Sequence, residues 1–395
     1  VRSDVVIIGA GAAGLSLAER LCTAAARPGL SVRLIDAPAG PLRPPARTWC
    51  FWEQGTGRYD DAVTASWNRM RVRSPQGRLV DASTGTLRYK MIRSPDFEAT
   101  VERRLADCDG LVRTEGVVEN IEVGADGPHV LVRTADGGYE SCAARWVFDS
   151  RPLGSLPPAR TTLLQHFRGW FVRTDRPVFD TRSVELMDFR TPQPQRGLAF
   201  TYVLPTSAHT ALVEYTQFSA SVLSAERYEH ALQTYLQDVL AVRDFQVEAR
   251  EEGVIPMTDA RFARQSGQGV FRIGAAGGAT RPSTGYTFAS IQRQTAAISE
   301  ALLAGRNPAP PAPHSRRSMA MDSVLLHGLA RGRIDGAAFF TRLFSRVPME
   351  RLLRFLDGTT TLYEDLSIGL NSPVWPLLRS AAELPTRPLQ PSPTP

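Results

Sequence analysis

Apolar positions along the chain follow two different rhythms. Asp4–Ile8 is a short, largely β-branched run, followed by Gly9-Ala10-Gly11-Ala12-Ala13-Gly14 and an Ala/Leu-rich stretch that predicts a helix to about Ala26, broken by Pro28-Gly29. Ser31–Ile35 reads as a second buried strand ending at Asp36, so the chain opens strand–turn–helix–strand. Pro95–Ala106 has helical spacing. Strands follow at Leu111–Val123, His129–Thr134 and Tyr139–Phe148, the last two joined by an Asp136-Gly137-Gly138 turn. From about Thr161 the period shortens to two, over Gln165–Thr174, Ser183–Phe189, Ala199–Leu204 and Thr210–Thr216, with a helix near Ala225–Val239. This predicts an antiparallel sheet with one covered face. Phe271–Ile273 is again a strand, Gly274–Gly285 a glycine-rich loop, and Tyr286–Leu303 a helix. A stiff proline-rich linker, Asn307–Pro313, leads to a helical segment from about Arg317 to Leu378 and a Pro-rich tail predicted to be disordered. The expected units are residues 1–160 with 265–306, residues 161–264, a helical segment at 315–380, and the tail at 385–395.

The glycines of the first turn have the context that a dinucleotide site needs. Gly9 allows the tight turn, Gly11 lets a pyrophosphate approach the backbone, and Gly14 lets the helix pack on the strand. The helix N-terminus offers unpaired N–H groups to phosphate, and Asp36 stands where a carboxylate accepts from ribose hydroxyls. The second glycine-rich loop follows a late strand and opens a helix, as in two-dinucleotide-binding flavoproteins, and no second GxGxxG marks a nicotinamide domain. FAD is therefore favoured over NAD. The fold class is α/β: a Rossmann-like two-dinucleotide-binding FAD fold, an antiparallel-sheet substrate domain and a C-terminal helical segment.

Composition adds less. With 43% hydrophobic and 22% charged residues the 395-residue chain is ordinarily globular, and no apolar run is long enough for a transmembrane helix. Cys22, Cys50, Cys108 and Cys142 are scattered without a CxxC pair, which fits four thiols in a reducing cytosol. No histidine spacing suggests a metal. The first apolar run reads as a fold element rather than a signal peptide, so a cytoplasmic location is expected. The net charge is +6, carried almost entirely by arginine, with Lys90 the single lysine.

Six segments carry a more specific signal: Arg47-Thr-Trp-Cys-Phe-Trp52, Gln165-His-Phe-Arg-Gly-Trp170, Phe200-Thr-Tyr-Val-Leu-Pro205, Leu212-Val-Glu-Tyr-Thr216, Glu252-Gly-Val-Ile-Pro256 and Gly277-Gly-Ala-Thr-Arg-Pro-Ser-Thr-Gly-Tyr-Thr-Phe288. In this order the set resembles the bacterial lycopene β-cyclases. Flavin hydroxylases carry a Gly-Asp pair where this chain has Gly274-Ala275, and no Trp-x-Trp-x-Ile-Pro segment of flavin halogenases occurs. The resemblance implies a non-redox isomerase that needs reduced FAD, with NAD(P)H as an external reductant and lycopene or a similar polyene as substrate. A redox flavoprotein acting on a large apolar substrate (a monooxygenase or prenyl reductase), a non-catalytic carotenoid-binding flavoprotein, and a cyclase for another polyprenoid stay open. So do the ring count and the oligomeric state.

Ring closure needs an acid, a base, an apolar wall and something that stabilises positive charge. Glu214 is a lone carboxylate in an apolar strand, where burial would hold its proton. It matches the family's acid/base glutamate, although an alternating strand can equally turn it to solvent. Tyr215 stands where the plant-type motif has a second acid. Glu252 ranks next among carboxylates, ahead of Glu185, Asp188 and Glu251. Glu214 as acid, as base and as charge stabiliser are all compatible with the sequence. Trp49, Phe51, Trp52, Trp170, Phe200 and Tyr202 are the aromatic candidates for lining a polyene tunnel. Arg47, Gly274, Gly277, Gly278, Thr284 and Gly285 join Gly9, Gly11, Gly14 and Asp36 as candidates for holding the flavin nucleotide. Between Arg316 and Asp357 eight arginines face four carboxylates, interleaved with Phe and Leu. Such a segment suits a helix on an anionic lipid surface, making the protein peripherally membrane-associated, or a cap over the core with solvated arginines. No nucleic-acid motif accompanies the charge, so nucleic acid is not an expected partner.

Overall fold

The computed structural model describes residues 2–23 and 30–392. Its helices, in chain order, are α1 (Ala12–Thr23), α2 (Ser94–Leu105), α3 (Ala225–Thr234), α4 (Phe288–Leu303), α5 (Arg316–Ala330), α6 (Gly336–Arg346), α7 (Met349–Leu356), α8 (Leu362–Leu370) and α9 (Val374–Glu383). The expected end of α1 at Ala26 and its Pro28-Gly29 breaker lie outside the described residues.

The apolar run at the start of the chain is buried on both faces because it is central in a sheet. Strand Arg2–Ile8 pairs in parallel with Val32–Asp36 on one side and Tyr139–Asp149 on the other. Val270–Arg272 continues the parallel order beyond Tyr139–Asp149, and Leu111–Gly124 continues it beyond Val32–Asp36. One face packs on α1, α2 and α4 through Ile7, Leu34, Phe97, Phe148 and Ile298, all at most 1% exposed. The other face is covered by the antiparallel meander Leu111–Gly124, Gly127–Thr134 and Tyr139–Asp149.

The second sheet runs Gln246–Thr258, Thr162–Arg173, Thr210–Ser219, Leu198–Pro205, Val184–Asp188, Arg69–Arg73 and Leu79–Ser83. It is antiparallel except where Val184–Asp188 meets Arg69–Arg73. The hairpin at 69–83, within the range read as 1–160, thus belongs to this second sheet. Helix α3 covers the outer face. The inner face meets a small sheet of Thr48–Gln54, Leu87–Arg93 and Val63–Trp67, and is capped by α5, α6 and α7 in the largest apolar core.

The packing chooses between the two readings of one segment and corrects two further expectations. Phe339, Phe340, Leu343, Phe344, Leu352 and Leu353 of the Arg316–Asp357 segment are buried in that core, so the segment is a cap and its apolar side chains face protein, not lipid. The tail is ordered as far as it is described. Gln390 exchanges backbone hydrogen bonds of 3.0 and 2.8 Å with Ala159, and Ser392 Oγ donates to the Pro157 carbonyl at 3.0 Å. Its prolines give an extended backbone that leaves Gln390 free to bridge. Finally, Cys22 and Cys108 form a disulfide, with Cα atoms 5.8 Å apart, because α1 and α2 pack side by side; Cys50 and Cys142 remain thiols.

Candidate active site

Two glycine-rich turns meet at the ends of the parallel strands. Gly9 has φ +92°, and a Cβ on Gly14 would lie 1.8 Å from the Gly9 carbonyl oxygen, so only glycine lets α1 pack this closely. A Cβ on Gly11 would meet nothing within 4 Å: its space is open, as a turn that lies along a pyrophosphate requires. The Ala10 N–H reaches Asp36 Oδ1 at 3.4 Å, and Arg43 holds the same carboxylate at 3.2 Å. Across the cleft, Gly274 (φ +64°) donates its N–H to Gln294 Oε1 at 3.1 Å, and Gly278 (φ +81°) ends the short turn begun at Gly274. A Cβ on Gly277 would press on the Arg272 carbonyl at 2.5 Å. Gly285 (φ +73°) follows Thr284, whose hydroxyl accepts from the Tyr286 N–H at 3.4 Å. Gly285 packs against Gln165 of the second sheet, whose Oε1 is buried without a partner among the described residues. An open turn, backbone N–H groups and an unpaired buried acceptor suit a dinucleotide that crosses the cleft toward the second sheet. Arg47 is exposed; its backbone is tied to Ser94, and among the described residues its guanidinium makes no hydrogen bond or ion pair.

Beyond this cleft, on the inner face of the second sheet, two carboxylates meet. The central strand Thr162–Arg173 has Thr210–Ser219 on one side and Gln246–Thr258 on the other. Its Gly169 is level with Glu214 on the first neighbour and Glu251 on the second. Directly opposed residues share a face, so both acids point the same way. Gly169 is what lets them converge: a Cβ there would come 2.8 Å from Leu212 Cδ1 and 3.3 Å from both Glu214 Cβ and Glu251 Cγ. Thr216 Oγ1 donates to Glu214 Oε1 at 3.0 Å, and Thr48 Oγ1 donates to Glu251 Oε2 at 2.7 Å. Glu214 keeps a little accessible surface inside a dense surround of protein, as a side chain lining an interior cleft does. Burial raises the pKa of Glu214 well above the carboxylate range, and the charge of Glu251 raises it further. Burial also raises Glu251, but hydrogen bonds from Thr48 and Glu214 and the nearby Arg93 oppose the rise. Of the two carboxyls, Glu214 therefore holds its proton the more firmly.

Apart from Arg93, the surroundings are aromatic. Tyr202 is level with Glu214 on the next strand. The Tyr286 hydroxyl lies between those of Tyr89, at 3.2 Å, and Tyr202. Trp52 packs edge-on to Tyr286 with ring centroids 4.6 Å apart. Burial pushes the three phenols and the Cys50 thiol above their ordinary pKa values, so all stay neutral. The result is a wall of π faces beside a buried carboxylate pair.

The expected residues separate by strand face. Trp52 and Tyr202 lie at the pair, and Phe200 belongs to the same inner core. Trp49 and Phe51 alternate with Trp52 on Thr48–Gln54 and point the other way, against Phe97 of α2 and Phe288 of α4. Trp170 sits on the outer face beside Phe245, one position from Gly169. Glu252 is also on the outer face, exposed and ion-paired at 2.5 Å with Arg168, which also holds Glu229 of α3. The acid at the site is its neighbour Glu251. Strand alternation already said that only one of the two could face inward; choosing which required the register against Gly169. Thr48, Cys50, Gly169 and Tyr286 carry no local signal beyond their segments, and Tyr89 lies outside all six.

A family model described as lycopene cyclase protein matches residues 4–382. The chain is 28% identical to the lycopene beta-cyclase of Paracoccus sp. (strain N81106 / MBIC 01143), with 98% of each chain covered, and 27% identical to that of Pseudescherichia vulneris, with 95% of each covered. Among solved structures, it resembles a geranylgeranyl bacteriochlorophyll reductase-like protein from Thermoplasma acidophilum (TM-score 0.62, 13% identity, 97% of this chain and 99% of that one). It also resembles a flavoprotein/dehydrogenase from Cytophaga hutchinsonii (TM-score 0.60, 13% identity, 97% and 99%). At such identity these two structures speak for the fold.

Proposed function

The chain belongs to the lycopene cyclase family, and on that premise we propose that it closes the ψ end groups of lycopene into β rings, giving β-carotene by way of γ-carotene, with reduced FAD and no net redox change. The observation that carries this reading is the Glu214–Glu251 pair converging over Gly169 beside an aromatic wall. Gly11, Asp36, Gly274–Gly278, Thr284 and Gly285 are the residues that would hold the dinucleotide. Reduced flavin, for which NAD(P)H is the external electron source, supplies an electron-rich ring that favours positive charge nearby.

The protein's own groups supply the proton traffic. Protonated Glu214 adds its proton to the terminal alkene of the end group, leaving a tertiary cation. The electron pair of an internal double bond attacks that cation and forms the ring C–C bond. Trp52, Tyr202 and Tyr286 present π faces to the charge, worth about 0.5–2 kcal/mol each, and exclude the water that would quench it. Glu251, whose ionised form the Thr48 hydroxyl favours, removes the ring proton, and the C–H electron pair becomes the ring double bond. The proton then returns from Glu251 to Glu214. One proton enters and one leaves, so the product is an isomer of the substrate.

Expression in a lycopene-accumulating host tests this. Wild type should turn red cells yellow, and pigment analysis should find β-carotene. Glu214→Gln and Glu251→Gln should each leave lycopene. Oxygen uptake, or NAD(P)H oxidised in proportion to product, would instead assign a redox reaction.

A further inference from the structure

Seven of the seventeen exposed large apolar side chains among the described residues fall between Leu362 and Leu378. Leu362, Leu366 and Leu370 form a stripe on α8, and Tyr363 of α8 and Val374, Trp375 and Leu378 of α9 are exposed as well. Tyr363 and Trp375 are 81% and 82% exposed. The opposite side of α8 is anchored: Ile368 is buried in the main core, and Asp365 binds Arg317 at 2.7 Å. α9 packs on α5 with Ser380 buried, so both helices are fixed to the body with these apolar side chains outward.

Charge says what fits that face. The acids of α8 and α9 are all engaged by arginine, Glu364 by Arg354, Asp365 by Arg317 and Glu383 by Arg333. Among the described residues Arg342, Arg346 and Arg351 have no carboxylate partner, and Arg351 reaches Ser367 of α8 at 3.5 Å. At the root of α8 lies a half-open cavity of about 330 Å³, with Trp52 and Phe288 on its wall and Arg20, Arg58, Arg293 and Arg354 against two carboxylates around it. A second copy docked on this face by two-fold symmetry would bring Arg351 toward its own equivalent, whereas an anionic headgroup neutralises it. Tyr and Trp rings, apolar with one polar edge, suit the headgroup boundary. Among the described residues no helix is long and apolar enough to cross a membrane.

We propose that α8 and α9 dock the protein on the surface of an anionic bilayer, their apolar stripe set into the headgroup boundary. The docking stands on exposure and charge and holds whether or not the cyclase reading above does. The test uses the full chain, vesicles and no substrate, so its outcome is independent of cyclase activity. The protein should co-sediment with phosphatidylglycerol-containing vesicles and more weakly with pure phosphatidylcholine. Leu366→Ser combined with Trp375→Ser should weaken binding by at least roughly tenfold with an unchanged melting temperature. Vesicles should also blue-shift the tryptophan emission of wild type, and the conservative Trp375→Phe should bind while losing that shift. Failure to bind, binding insensitive to the double variant, or a shift that survives in Trp375→Phe overturns the proposal. A dimer that the double variant dissociates would give the face to a second copy instead.

Discussion

Glu214 and Glu251 show how a single atom's absence can organise chemistry. Without a Cβ on Gly169 the two carboxylates lean over the same gap, and each alters the other's proton affinity. The linkage has a definite sign. A buried carboxyl whose pKa is raised holds a proton that the unfolded chain has released, so stability is full below the unfolded value near 4.3 and declines as pH rises through the folded one. Glu214→Gln keeps the shape without the titration. Its melting temperature should decline less than that of wild type as pH is raised above about 5, measured by thermal unfolding across pH. Gly169→Ala should behave differently. Crowding against Leu212 should cost about 1–3 kcal/mol at every pH, and cyclase activity should fall even where the fold survives.

At the scale of elements, the second glycine-rich loop is held from behind by a buried ion pair. Arg281, four residues before Gly285, binds Asp322 of α5 at 2.6 and 3.1 Å, and Ser283 Oγ adds a bond of 2.7 Å to the same carboxylate. Both partners are nearly inaccessible, with side-chain exposures of 3% and 4%. Removing one partner strands the other in a dry site, which costs about 3–5 kcal/mol. Asp322→Ala should therefore lower the melting temperature sharply and weaken flavin retention, read as flavin absorbance after desalting. The sequence marked the loop by its glycines. It had no means of marking Asp322, because the partner lies on a helix of different rhythm and only packing brings the two together. The same holds for Cys22 and Cys108, joined across 86 residues by the packing of α1 on α2.

At the scale of the whole molecule, the nucleotide cleft is assembled from the start of the chain and from residues near 274–285, so binding there should stabilise the entire fold. FAD at a hundred times its dissociation constant should add about 2.7 kcal/mol, visible as a higher melting temperature. Gly11→Leu, whose side chain would enter space open to more than 4 Å, should fold but lose that increment. Local rules were enough for the parallel strands, the glycine turns, the alternating sheet and the candidacy of Glu214, because each is written in neighbouring residues as period, turn chemistry or an out-of-place charge. Direction was not. Whether Glu251 or Glu252 faces inward, whether Trp52 or Trp49 meets the site, and whether the Phe/Leu-rich helices or α8 and α9 keep an exposed apolar face depend on which side of each element the rest of the chain covers. Periodicity sorts residues onto faces; only the packing of distant segments decides which face is inside.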